Sequence, residues 1–123
     1  MTQDKDLLLK YLCMALPYRT AIRDDYGDIT FLDYNDVHIQ NYFEGIVEGV
    51  VRPYLRSMSS MTEEERKEYK HLVAFSGSPD GAANFIDWLL ENHFDFMGLI
   101  PKGLAIEVTK DNNPYETLKY ENN

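Results

Sequence analysis

Two helix-start signals close together in the second half of the chain, Thr62-Glu63-Glu64-Glu65 and Ser78-Pro79, constrain the fold more than any other feature. The first is a capping box, in which the Thr62 hydroxyl accepts from the Glu65 amide while the Glu65 side chain reaches back to the Thr62 amide. The second sets Ser78 as N-cap and Pro79 at the first helical position, where a missing N–H does no harm. Ser76-Gly77-Ser78 between them breaks a helix but leaves no room for a strand. Helix therefore follows helix, from Thr62 to Ala74 or Phe75 and from Pro79 to near His93. The regular strand–helix alternation of a doubly wound sheet is excluded.

The remaining segments supply the sheet and one more helix. Leu8, Leu12 and Leu16 recur at helical spacing, and Leu9, Cys13 and Ala15 widen the stripe, which predicts a helix from Asp4 to Leu16 that Pro17 ends. Cys13 falls on the inner side of that stripe and is expected to be a core thiol. Thr20–Arg23 and Ile29–Leu32 flank Asp24-Asp25-Tyr26-Gly27-Asp28, a hairpin signal with Gly27 free to adopt positive φ. Asp33–Asp36 reads as a further turn, Val37–Ile39 as a short extended piece and Gly45–Val51 as a strand. Pro53 cannot donate to a ladder, so Val50–Met58 is expected at a sheet edge or leaving the sheet. Tyr69, Leu72 and Val73 face inward on the helix after Thr62. Ala82, Phe85, Ile86, Leu89 and Leu90 do so on the next, and Leu104–Val108 forms the last strand. The predicted class is α+β: a small antiparallel sheet of about four or five strands packed against about three α-helices. Residues 1–109 form a single domain, and 110–123 have the composition of a loosely ordered tail.

Charge narrows the function classes. The 12 Lys and Arg are outnumbered by 21 Asp and Glu, giving a formal net charge of −9. Between Arg23 and Arg52 there is no Lys or Arg, while Asp24, Asp25, Asp28, Asp33, Asp36, Glu44 and Glu48 fall there. Neutralising a phosphate backbone takes clustered Lys and Arg, so direct nucleic-acid binding is not expected. The acidic stretch reads first as a solvated face; an alternative reading is an acidic antagonist that imitates nucleic acid before a DNA-binding protein. One cysteine allows neither an intramolecular disulfide nor a Cys-rich zinc module. No apolar run approaches the roughly 18 residues of a membrane span, and the first residues lack a signal-peptide pattern, so a cytoplasmic protein is expected.

Catalytic and cofactor motifs fail one by one. There is no G-x-G-x-x-G, no G-x-x-x-x-G-K-[ST] and no G-x-S-x-G. A calcium-loop frame starting at Asp33 puts Val37 where an oxygen ligand is needed and His38 where glycine makes the turn. His38, His71 and His93 lack metal-ligand spacing, so neither a metal nor a cofactor is expected. His93, near a helix C-terminus, is expected to complement the dipole. With Asp95 it also carries the remaining enzymatic alternative, a hydrolytic or metal-dependent activity. Asp24 and Asp25 read as turn chemistry.

Two segments are richer than solubility requires. In an extended Val50–Met61, Arg52, Tyr54 and Arg56 share one face, a pattern able to grip an acidic or aromatic partner. In Phe85–Ile100, Trp88 sits at the border of the buried stripe, with His93 and Asp95 following. Arg52, Tyr54, Arg56, Trp88, His93 and Asp95 are thus the candidate partner-binding residues. The leading expectation is a non-enzymatic accessory protein acting through protein–protein contact, including contact with a second copy of itself.

Arg52–Glu65 (RPYLRSMSSMTEEE) and Ile86–Glu107 (IDWLLENHFDFMGLIPKGLAIE), with Asp6–Leu12 and Leu16-Pro17-Tyr18, resemble a family of short uncharacterised proteins encoded by gut anaerobic bacteria and their mobile elements. The resemblance covers about half the chain. The stretch from Arg23 to Gly49 diverges, and Asn92, Phe96 and Met97 depart from the commoner pattern. It implies a cytoplasmic location and an accessory or phage-related role, and it carries no catalytic residue with it.

Overall fold

The computed structural model describes residues 2–24, 26–32 and 51–116. Helix α1 (Thr2–Ala15) runs into a single 3-10 turn at Leu16–Tyr18, where Pro17 stops it and Arg19 takes a left-handed conformation. Strands β1 (Thr20–Arg23) and β2 (Ile29–Leu32) then form the expected antiparallel hairpin, in register from Thr20↔Leu32 to Arg23↔Ile29. Its turn is closed by Asp24, whose Oδ1 accepts from the amides of Tyr26 and Asp28, and by Gly27 at φ 85°. Strand β3 (Arg52–Leu55) leads through a 3-10 turn at Met58–Ser60 to α2 (Glu63–Ala74) and α3 (Pro79–Glu91). Both anticipated caps are present: Thr62 Oγ1 accepts from Glu65 N at 3.2 Å with the reciprocal bond at 2.9 Å, and Ser78 Oγ accepts from Gly81 N. Strand β4 (Ile106–Glu107) completes a four-stranded sheet in the order β2-β1-β3-β4.

The fold is α+β, with a mixed sheet: β1 is antiparallel to both β2 and β3, whereas β4 lies parallel to β3. A parallel neighbour needs a long crossover, and residues 56–105, carrying α2 and α3, provide it. Pro53 is buried in the interior strand β3 and not at an edge. It stands opposite Ile22. Because proline has no N–H, this rung must be of the non-hydrogen-bonded kind, and the missing donor then points toward β4, one residue before that ladder begins at Tyr54.

The main core joins Leu8, Tyr11, Leu12 and Ala15 of α1 to Ile22, Leu32, Val51 and Leu55 around the sheet, with Leu90, Leu99 and Ala105. A second cluster, Met61, Leu89 and Phe94, holds the α2–α3 pair, with Tyr69, Phe85 and Trp88 packed against it. Each fully buried Leu or Ile contributes roughly 1.5–3 kcal/mol. Cys13 is exposed, which corrects the expected core thiol. The buried stripe runs 8-11-12-15, and at about 100° per residue Cys13 lies about 140° from Leu8. Tyr11, absent from the expected stripe, takes the inner place and is fully buried. Val73 is also exposed rather than inward. The turn at Asp33–Asp36, the pieces at Val37–Ile39 and Gly45–Val50, the calcium-loop frame and His38 lie outside the described residues. Among the described residues no helix is long and apolar enough to cross a membrane.

Residues 110–116, expected within a loose tail, are anchored. Thr109 bridges to Asn112, Pro114 is buried and the Tyr115 hydroxyl reaches the sheet.

Candidate functional site

The edge of β3 that faces β1 is served by three partners in succession. Arg52 pairs with Arg23 of β1. The Tyr54 carbonyl accepts from the Tyr115 hydroxyl at 2.6 Å, and that same hydroxyl accepts from the Ala21 amide at 2.9 Å. The Arg56 amide donates to the His93 carbonyl, and the Asp95 amide donates to the Arg56 carbonyl, each at 2.8 Å. The β1–β3 ladder ends at the Ile22↔Pro53 rung although β1 continues to Thr20, so a phenol and the residues after α3 take over in turn.

His93 stands where α3 ends. The Phe94 amide donates to the Leu89 carbonyl and the His93 amide to the Leu90 carbonyl, the bond pattern of a Schellman motif. Its left-handed position usually belongs to glycine; here it is His93, at φ 60°. The imidazole is buried and stacks face to face on the Tyr115 ring, with centroids 3.7 Å apart and planes 9° off parallel. Burial, with the Arg56 guanidinium nearby, lowers its pKa to about 4. At neutral pH His93 is therefore uncharged, and it does not complement the helix dipole as the sequence suggested. An imidazole charged in the unfolded chain below about 6.5 but neutral in the fold makes stability rise with pH. The contribution is complete above pH 6.5 and is lost as pH falls toward 4. We expect urea midpoints to reveal a loss of about 3 kcal/mol across that window.

Arg56 is committed internally. It makes a two-pronged ion pair with Glu65 at 2.7 and 2.8 Å, and its guanidinium lies 4.3 Å from the centre of the Phe94 ring. Hydrogen bonds from Arg56 hold the Glu65 carboxyl at about 2, so this pair weakens as pH falls from about 4.5 toward 2. Glu65 also closes the capping box, so one carboxylate joins the end of β3 to the start of α2. Arg56→Ala should cost about 2 kcal/mol, the pair being partly exposed, and denaturant unfolding should show it as a lower midpoint with unchanged slope.

The other candidates scatter. Trp88 is half-buried between Phe94 and Tyr69, at centroid distances of 5.4 and 6.4 Å. Asp95 is buried and accepts from the Leu99 and Ile100 amides at 2.7 and 2.9 Å, which organises the following turn. Among the described residues no three His, Cys, Asp or Glu side chains lie together in a way that could hold a metal ion.

Arg52 and Tyr54 remain, joined by a residue that sequence reading did not select. Arg23 stands directly opposite Arg52 across β1 and β3, and its guanidinium lies 5.9 Å from the centre of the fully buried Tyr54 ring. Alternation along the strands places all three side chains on the sheet face away from the α1 core. Like charges directly opposite one another destabilise a sheet. Among the described residues no carboxylate lies within ion-pair distance of either arginine. Arg23 is legible only once the β1–β3 register is known, because it is remote from Arg52 in sequence.

No protein-family model, curated protein or solved structure matches the chain.

Proposed function

We propose that this chain is a small protein-interaction module that receives an acidic segment of a partner over the Arg23–Arg52 pair. The observation that carries the reading is the register of β1 and β3, which sets two arginines opposite each other beside an aromatic ring in a chain of net charge −9. A carboxylate lying across both guanidiniums turns a repulsive pair into a bridged one, and arginine's planar fork matches that geometry. His93, Asp95 and Arg56, the residues with the most reactive character, are occupied in holding segments together, which supports contact over chemistry as the mode of action. The acidic partner can be a second copy of this chain. The resemblance to short proteins of gut anaerobes and mobile elements, together with the single cysteine, supports an accessory role inside the cell.

The test is a pull-down from the host lysate, with light scattering of the purified chain, comparing the unaltered protein with Arg23→Glu/Arg52→Glu. The reading expects the captured partner, or the self-associated species, to disappear while melting stays cooperative. Capture and assembly unchanged by the double reversal would refute it.

A further inference from the structure

We propose that the segment around Tyr115 is an acid-released strap, which leaves the β1–β3 seam when His93 takes up a proton. Three independent features of the geometry converge on it. First, among the described residues the strap's polar hold on the sheet is one hydroxyl, which both accepts from Ala21 and donates to Tyr54. Burial pushes that phenol's pKa well up, so it remains a donor throughout the ordinary pH range. Second, its ring is held by the parallel stack on His93, supplemented by an edge contact with Phe31 at 6.3 Å. Third, His93 occupies a glycine-type backbone position, so the stack is maintained against local strain.

Protonation works against this arrangement, because burial, an unpartnered N–H and Arg56 outweigh the attraction of an imidazolium for the Tyr115 ring. The Nδ1 atom of His93 is buried with no hydrogen-bond partner among the described residues. A proton from solvent placed on the ring leaves imidazolium with two N–H donors and no acceptor identified for Nδ1. The charged group facing it from just beyond β3 is Arg56, which repels the new charge. Tyr115 faces it from the C-terminal segment. Asp95, two residues on, spends both carboxylate oxygens on Leu99 and Ile100, and its field falls on Tyr11 of α1. Moving the strap aside lets water reach the imidazolium. It also uncovers the Ala21 amide and the Tyr54 carbonyl, two backbone groups at a sheet seam.

The experiment is an acid titration of the isotope-labelled full chain by NMR, following the His93 ring and amide hydrogen exchange together. Exchange at Ala21, corrected for its intrinsic pH dependence, should accelerate roughly 20-fold between pH 7 and pH 5, the factor that follows from an open-state imidazole near 6.5 and a closed-state value near 4. The amides of Leu12 and Leu90 should stay protected. In His93→Asn, whose side chain tolerates the left-handed backbone, the acceleration should vanish. Should that variant not fold, the unaltered chain still decides the matter, because the His93 ring and the Ala21 amide must change with one midpoint. Release of Ala21 together with Leu12 and Leu90, no acceleration, separate midpoints, or an unchanged acid response in His93→Asn would each overturn the proposal.

Discussion

Tyr115→Ala is expected to lower the unfolding free energy by about 3–4 kcal/mol, a large share of what a small domain possesses. The side chain does two jobs. Its ring covers His93 and meets Phe31 edge-on, while its hydroxyl connects β1 to β3 at the rung where the ladder gives out. Tyr115→Phe separates them: the ring stays, and the loss should fall to about 1–2 kcal/mol, the cost of leaving a buried amide and carbonyl without their bridge. Urea unfolding of both variants, with matched slopes, measures the difference. If Tyr115→Ala were as stable as the parent, residues 113–116 would be dispensable and the seam would hold unaided.

The second large effect belongs to Gly81, in the first turn of α3. A Cβ built there runs into the backbone carbonyl of Phe75, with the carbonyl carbon at 2.8 Å. A collision with backbone cannot be relieved by rotating a side chain, so α3 must move away from the end of α2. Alanine is the better helix former by about 1 kcal/mol, which works in the opposite direction. Overpacking of this kind costs about 1–3 kcal/mol, and strain against fixed backbone belongs at the upper end. We therefore expect Gly81→Ala to be about 2 kcal/mol less stable, despite improving local propensity. A neutral or stabilising result, read as an equal or higher melting temperature, would mean that the α2–α3 corner yields freely.

Features governed by neighbours in sequence are readable from the residues alone. The Thr62–Glu65 box, the Ser78-Pro79 start and the hairpin around Gly27 all depend on groups a few residues apart, and all appear as expected. Errors arose where distant groups decide. Cys13 and Tyr11 were exchanged because three leucines at equal spacing leave the centre of a helical stripe undetermined until a partner surface fixes it. Pro53 looked like an edge marker, yet a ladder that changes partners along its length accommodates it in the interior. The parallel pairing of β4 depends on how residues 56–105 return to the sheet, which local propensity does not encode.

The candidate site divides along the same line. Arg52, Tyr54 and Arg56 do alternate to one side of an extended segment, but only tertiary structure shows Arg56 captured by Glu65 and Arg23 brought in beside Arg52. Tyr115 was passed over because its surroundings are polar. An aromatic ring in such a tail, directly after a proline, was the available signal that the segment docks.

The most direct test of the functional account is fluorescence anisotropy with a dye-labelled peptide of consecutive glutamates, titrated with the unaltered chain and with Arg23→Gln/Arg52→Gln. A protein of net charge −9 repels such a peptide in general, so binding demands a local arrangement of positive charge. The account predicts saturable binding by the unaltered chain that weakens with added salt. It predicts loss of that binding in the double variant, whose stability changes by no more than about 0.5 kcal/mol. Failure of the unaltered chain to bind, or equal binding by the variant, would contradict it.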